Sequence, residues 1–481
     1  MITLLSRRQL LRTSALLGLG VPALTAASGP VRAQEAREEG AAQARAATDT
    51  RPNLILVVAD DLGYGALGSY GQKKIRTPVL DRMARQGLRF TQAYAAASVC
   101  APSRCSLYTG LHTGHSRVRQ NPRAGLPNGL REEDTTFAEA LRDAGYRTGL
   151  FGKWGLGPER GGQPSHPNAR GFQDFYGYIN HRHAHDYYPE HLWRDGERVR
   201  LKANRQGRQG AYAPDLLRDR AVSFIKKSGE KPFLLVYTPN LPHSPSDVPG
   251  LGRYRNKPWP RADRGHAAQI TLLDSHLGDL LDALPKGRRT IVLVTSDNGP
   301  HEEGGVDPDR FDANGRLRGY KRNLYEGGIR VPLIAWGPGL VKRGRSSRVT
   351  QHTDLFPTLA EFAKAAVPRH LDGTSLRGTL IGGRGQAPAK HLYWYRSETH
   401  STRRANAAEN GSVTRMAEAV RQGDWKLVRF APGSGRPRSD SGWRTELYDL
   451  GKDPGERRNL ASRHPEVVIR LSRLASASWA G

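Results

Sequence analysis

Four short runs along the chain are apolar at nearly every position instead of at alternate ones: residues 53–59, 233–237, 290–296 and 331–336. A strand with one face in solvent alternates, whereas a strand covered on both faces does not. These runs therefore predict the inner strands of a largely parallel sheet. Between them lie amphipathic helical patterns, among them 136–144 and 267–284. Strands alternating with helices predict an α/β sandwich with a large mixed, mostly parallel sheet. The pattern changes after the Gly/Arg-rich stretch 377–385, which reads as a break. Residues 392–395, 425–428 and 446–450 form shorter, more alternating segments and predict a small antiparallel sheet, closed by a helix over about 465–474. The expected organisation is a catalytic domain over 51–384 and a C-terminal subdomain over 385–481.

The N-terminal 33 residues break both patterns. Arg7-Arg8 precedes a weakly apolar run, 15–26, and Val31-Arg32-Ala33 offers a small-residue cleavage site. This predicts a twin-arginine export signal over 1–33, handled by the twin-arginine machinery, and a periplasmic or secreted protein. The run is too short and too rich in Gly and Ala for a stable membrane span, and no later segment replaces it. Residues 34–50 have almost no apolar bulk and read as a disordered lead-in. The net charge is +28, of which Arg7, Arg8, Arg12 and Arg32 contribute four, leaving +24 on residues 34–481. Such a field attracts anions. No nucleic-acid module accompanies it, so a sulfated polysaccharide suits the charge and the exported location better.

Candidate chemistry sits where strands end, which is where open α/β sheets bind ligands. The first run stops at Asp60-Asp61, the third at Asp297-Asn298, and the run at 233–237 leads to His243 between two prolines. An acid pair alone more often caps a helix, but two oxygen-only sets at strand ends suit calcium, with magnesium as the alternative, over zinc. The chain has only two cysteines. Cys100 opens Cys100-Ala101-Pro102-Ser103-Arg104 and is followed by Thr109-Gly110, while Cys105 reads as a packed thiol with no disulfide to Cys100.

This C-x-P-S-R…T-G run resembles the signature by which formylglycine-dependent type I sulfatases of the alkaline-phosphatase superfamily, arylsulfatase-like enzymes, have a cysteine oxidised. The resemblance extends through Asn53 to Gly65, Phe151-Gly152-Lys153-Trp154, Pro242-His243-Ser244-Pro245, Ser296-Asp297-Asn298-Gly299, Lys321 to Pro332, and Tyr448-Asp449-Leu450 in the tail. It implies an alkaline-phosphatase-like sandwich. It implies further that a formylglycine-generating enzyme turns Cys100 into 3-oxoalanine, whose hydrate attacks sulfur. Asp60, Asp61, Asp297 and Asn298, with the group at Cys100, would hold a divalent cation. Arg104 would steady the hydrate, Lys153 and Lys321 would grip sulfate oxygens, and His243 would protonate the leaving oxygen.

One position departs from the family pattern. Where many relatives carry a histidine two residues after the lysine, this chain reads Gly152-Lys153-Trp154-Gly155. Either another group accepts the proton during sulfate release or the branch is impaired. His181, His183 and His185 are the available substitutes, with His185 preferred, and lining the cleft is their competing role. The aromatic segment 175–193 reads as a loop of the substrate pocket, with His301, Glu302 and Arg318 as further substrate-binding candidates. The expected activity is hydrolysis of sulfate esters, those of carbohydrates above all. Phosphodiester or phosphonate monoester hydrolysis on the same scaffold, or glycan binding by an inactive homologue, are the alternatives.

Overall fold

The structure is a computed structural model that describes residues 49–123, 128–398, 400–437 and 441–480. The expected export signal, 1–33, and nearly all of the lead-in lie outside the described residues. The described residues form sixteen strands: β1 (Asn53–Ala59), β2 (Leu88–Phe90), β3 (Ala93–Tyr94), β4 (Arg147–Lys153), β5 (Asp174–Tyr178), β6 (His191–Arg194), β7 (Glu197–Arg200), β8 (Phe233–Thr238), β9 (Thr290–Ser296), β10 (Leu333–Trp336), β11 (Gly344–Ser346), β12 (Thr350–Gln351), β13 (Leu392–Arg396), β14 (Ala417–Gln422), β15 (Trp425–Phe430) and β16 (Arg444–Asp449).

Ten of them make one mixed sheet in the order β11-β2-β10-β9-β1-β8-β4-β5-β6-β7. The centre, β9-β1-β8-β4-β5, is parallel throughout. Strand β1 shows why its sequence does not alternate. Leu54, Leu56 and Val58 pack into one apolar layer with the helices Cys100–Thr109, Phe137–Asp143 and Leu355–Ala363. Ile55, Val57 and Ala59 pack into the opposite layer with Pro78–Gln86, Ala213–Lys226 and Arg261–Asp282. Both faces of the strand are thus buried between helices.

Four expectations need correction in detail. The fourth apolar run begins its strand only at Leu333, after Pro332, which has no N–H for the ladder, and it runs antiparallel to β9. The helix expected at 267–284 starts at Arg261, directly after Pro260. The break at 377–385 contains a short helix, Arg377–Ile381, ended by Gly382 in the left-handed conformation. The aromatic segment 175–193 is only partly a loop, because Tyr176 and Tyr178 lie on β5 and Trp193 on β6.

Strands β13-β14-β15-β16 form a separate antiparallel sheet. One face carries Tyr393, Val420, Leu427 and Leu447 against Val467, Leu471 and Ala475 of the helix Pro465–Ala477. The other carries Trp394, Ala419 and Val428 against Tyr94, Leu324 and Ile329. Both faces are covered here too, and the polar residues interleaved along these strands are buried in ion pairs, Glu418 with Arg429 and Lys426 with Glu326 and Glu456. No helix among the described residues is long and apolar enough to cross a membrane.

Candidate active site

The carboxyl ends of the neighbouring parallel strands β9, β1, β8 and β4 deliver Asp297, Asp60, His243 and Lys153 to one place. Asp61 takes a left-handed φ of 68°, which aspartate tolerates better than most side chains. Its N–H donates to Asp297 Oδ1 at 3.0 Å, and the Leu62 N–H donates to Ser296 Oγ at 2.8 Å, locking one acid pair to the other. Cys100 is the first residue of the helix Cys100–Thr109, and Arg104 follows one turn later on the same side. Gly110 ends that helix at φ 71°, which explains the T-G of the motif.

The thiol of Cys100 lies 3.5 Å from Asp60 Oδ1 and 3.8 Å from Asp61 Oδ1. Arg104 donates from Nε and Nη2 to Asp297 Oδ2 at 3.0 and 2.8 Å, and its Nη2 is 3.6 Å from Asp60. Lys153 Nζ donates to Asp60 Oδ2 at 2.7 Å. Lys321 Nζ donates to Asp61 Oδ2 at 2.8 Å and to Glu303 Oε2 at 2.9 Å, and lies 3.1 Å from His243 Nε2. Asn298 Nδ2 donates to Asp61 Oδ1 at 2.7 Å, while its buried Oδ1 has no hydrogen-bond partner. A cavity of about 390 Å³ opens above the cluster, with His243, Lys321, Glu303, His181 and His185 in its walls. Cys100, Asp60, Asp61, Asp297 and Asn298 are fully buried beneath.

The Sulfatase family profile matches residues 52–365. The chain belongs to the sulfatase family. A second profile, N-sulphoglucosamine sulphohydrolase, C-terminal, matches residues 318–474. Human arylsulfatase A is 33% identical over 474 residues, covering 88% of this chain and 87% of the relative. The N-acetylgalactosamine-6-O-sulfatase of Bacteroides thetaiotaomicron is 30% identical, covering 88% and 92%. The crystal structure of Ps i-CgsB in complex with k-i-k-neocarrahexaose superposes with a TM-score of 0.73 at 27% identity, covering 89% of this chain and 93% of that one. The protein is accordingly a sulfuric ester hydrolase of alkaline-phosphatase-like fold.

Protonation in this sulfatase follows from burial set against neighbouring charge. Burial opposes ionisation of Asp60 and Asp61, yet Lys153 beside the first and Lys321 beside the second, each aided by His243, overcome it and hold both below the usual carboxylate range. Burial and the adjacent Asp60 push Asp297 up to about 7. The Cys100 thiol is raised well above its ordinary value by burial, against the pull of Lys153, so it stays protonated and a poor nucleophile at neutral pH. Burial and Lys321 push His243 down to about 4. Its Nδ1 is 2.6 Å from the Ser244 carbonyl, which fixes the proton on Nδ1 and leaves Nε2 as the acceptor facing Lys321.

The remaining candidates divide. His185 lines the cavity, stacks on His243 with ring centroids 4.3 Å apart, and leaves a buried Nε2 without a partner. His181 also lines the cavity. His183 turns away to Glu159 and His191. His301 is buried with Nε2 3.2 Å from the Pro242 carbonyl, and stacks on His243 at 5.7 Å. Glu302 binds the Arg404 amide and guanidinium. Arg318 is not brought to the cavity: it donates to the carbonyls of Ala408 and Glu456 and the Tyr448 hydroxyl. Cys105 is a buried free thiol.

Gly155, where the family resemblance leads one to expect histidine, sits at φ 81°, and a Cβ placed there would lie 3.2 Å from Arg104 Cδ. Sequence reasoning missed Glu303, which joins Lys321 to Arg322 and lies 3.7 Å from His243. Its only trace in the sequence is its position five residues after Asn298.

Proposed function

We propose that this sulfatase hydrolyses sulfate esters of carbohydrates outside the cytoplasm, using a formylglycine made from Cys100 and a bound calcium ion. The reading rests foremost on the thiol at 3.5 and 3.8 Å from two buried carboxylates. The donor chemistry suits a hard cation: Asp60, Asp61 and Asp297 offer carboxylate oxygens, and the orphaned Asn298 Oδ1 supplies a neutral fourth. Asp60, Asp61, Asp297 and Glu303 are matched in formal charge by Arg104, Lys153, Lys321 and Arg322. A divalent cation therefore leaves a surplus that an anionic ester can neutralise. Calcium over magnesium, maturation by a formylglycine-generating enzyme, and twin-arginine export to the periplasm or medium belong to the same proposal, as does placing the chemistry in 51–384 with 385–481 as a supporting subdomain.

The hydrated aldehyde at position 100 would supply the oxygen that attacks sulfur. The cation would supply Lewis acidity at the sulfate and lower the pKa of that hydrate. Arg104 opposes protonation of Asp297 and positions it. Lys153 and Lys321, paired with Asp60 and Asp61, would turn toward sulfate oxygens as point charges when those carboxylates hold a cation. His243 would protonate the leaving oxygen from Nε2 after taking up a proton with the anionic ester in place, and Lys321 Nζ at 3.1 Å holds that nitrogen in position. With no imidazole at 155, His185 would take the proton released as sulfate departs, because the residue lines the cavity and its buried Nε2 is unpartnered. A carbohydrate substrate fits the enzymes named above and the net charge of +28.

The test combines peptide mass analysis at Cys100, calcium content, and sulfate release from a panel of sulfated mono- and oligosaccharides, with aryl phosphate and phosphonate alongside. The reading requires an aldehyde at position 100 and sulfate release above phosphate release. An unmodified thiol in fully active enzyme, or preferential phosphoester turnover, overturns it.

A further inference from the structure

A second cluster of ligand atoms lies in the segment that carries the cavity wall, outside the acidic cluster. Glu159 follows β4 and its Lys153 by six residues, His183 lies in the β5–β6 connection, and His191 opens β6. Glu159 Oε1 is 2.8 Å from His191 Nε2 and 3.3 Å from His183 Nδ1, and all three atoms lie within 4.8 Å of one another.

The hydrogen bonds of this cluster are incomplete in an informative way. The His183 side chain is 10% exposed, and its Nδ1 makes no hydrogen bond although it is aimed at a carboxylate. The ring is held on both sides, stacked on His191 at 4.4 Å and edge-on to Tyr178 at 5.0 Å. Asn180 Nδ2 fixes the second oxygen, Glu159 Oε2, at 2.8 Å, and Trp193 Nε1 lies 3.3 Å from Oε1. A buried nitrogen without a partner, pointed at an oriented carboxylate beside a second imidazole, is the arrangement a metal completes. Supporting groups that fix the ligands from behind are the usual companions of such sites.

We propose that Glu159 Oε1, His183 Nδ1 and His191 Nε2 form a site for a divalent cation of the zinc class, distinct from the calcium-type cluster. Two imidazoles and one carboxylate select a borderline cation over calcium or magnesium, and three protein ligands leave a fourth position for water. The consequence lies in what the ligands are attached to. His181, Arg182 and His185, which line the cavity, flank His183 in the chain. An ion on this triad ties their loop to the segment that leaves Lys153, so its occupancy sets how firmly that wall is held. This inference stands whether or not the substrate is a carbohydrate.

The experiment is calorimetric titration of Zn²⁺ into the full-length, calcium-loaded protein, compared with His191→Ala, Asn180→Ala and Asp61→Asn, with circular dichroism to confirm folding of each. Substituting Co²⁺ gives a visible spectrum that reports four-coordinate nitrogen and oxygen ligation. The wild type is expected to bind one Zn²⁺ and to melt at a higher temperature with it. Asn180→Ala should weaken Zn²⁺ about 10- to 100-fold, His191→Ala more than that, and Asp61→Asn should retain both binding and cobalt spectrum. Zn²⁺ uptake that is absent from the wild type, unchanged in folded His191→Ala, or lost in Asp61→Asn alone overturns the proposal.

Discussion

Two of the clusters of buried charge among the described residues differ in what surrounds them: one lies under a cavity, the other joins two segments. At the strand ends, Lys153, Lys321 and Arg104 face Asp60, Asp61 and Asp297, with Asn298 Oδ1 unpartnered and a cavity above. At the C-terminal sheet, Lys426 bridges Glu326 at 3.0 Å and Glu456 at 2.9 Å. Tyr94 and Arg330 satisfy the other Glu326 oxygen at 2.7 and 3.2 Å, and the Glu326 N–H donates to Glu456 Oε2. Both clusters perturb their acids: Asp297 and Glu456 each rise to about 7, in both cases chiefly through burial. A shifted carboxylate alone therefore does not mark an active site. A cavity above an unpartnered ligand oxygen, Asn298 Oδ1, marks it, whereas the sheet cluster, with Lys426 shared between two acids, fastens β15 to the segment that follows Lys321.

The largest effect expected is on chemistry alone. Cys100→Ala should lower sulfate release by at least about 10⁴-fold with an unchanged melting temperature, since it removes the proposed source of the nucleophile and only a small buried group. A turnover loss that merely tracks unfolding would erase the contrast between the two clusters. Lys426→Met should do the opposite, leaving Glu326 and Glu456 buried without their shared cation at a cost of about 3–5 kcal/mol in urea unfolding, while turnover per folded molecule holds. Lys321→Ala sharpens the comparison. In calcium-loaded protein it should lower kcat by about 100- to 1000-fold, with a smaller drop in melting temperature than Lys426→Met. Equal destabilisation by the two lysines would mean that both clusters are structural.

The smallest effect is on pH dependence, at His352 beneath the Cys100–Thr109 helix. Burial, assisted by Arg104, pushes this imidazole down to about 3. The unfolded chain takes up a proton near 6.5 while the folded protein does not, so His352 contributes a loss of stability as pH falls from 6.5 toward 3. His352→Gln should flatten that slope by up to one proton, about 1.4 kcal/mol per pH unit. An unchanged slope in urea midpoints would show that His352 is protonated in the fold.

Much of this was legible because burial leaves a mark on sequence. Strands β1, β8 and β9 appear as unbroken apolar runs, and acids directly after two of them read as ligands because a sheet's carboxyl edge is where such groups converge. Direction was not legible: nothing in 331–336 tells that β10 runs against β9, since a buried strand looks alike either way. Tyr176 and Trp193 looked like loop aromatics because they sit toward the sheet's edge among polar residues. Glu303 was invisible because an acid in a connecting segment acquires meaning only when Lys321 and His243 are brought to it. Arg318 erred in the other direction, near Lys321 in sequence yet spent on the C-terminal segment.

The missing imidazole at 155 has a consequence for how this branch can change. A side chain there would need a left-handed backbone and would press on Arg104, the residue that steadies Asp297. A histidine introduced at 155 would thus act on Arg104 first, whose side chain would have to give by a few tenths of an ångström.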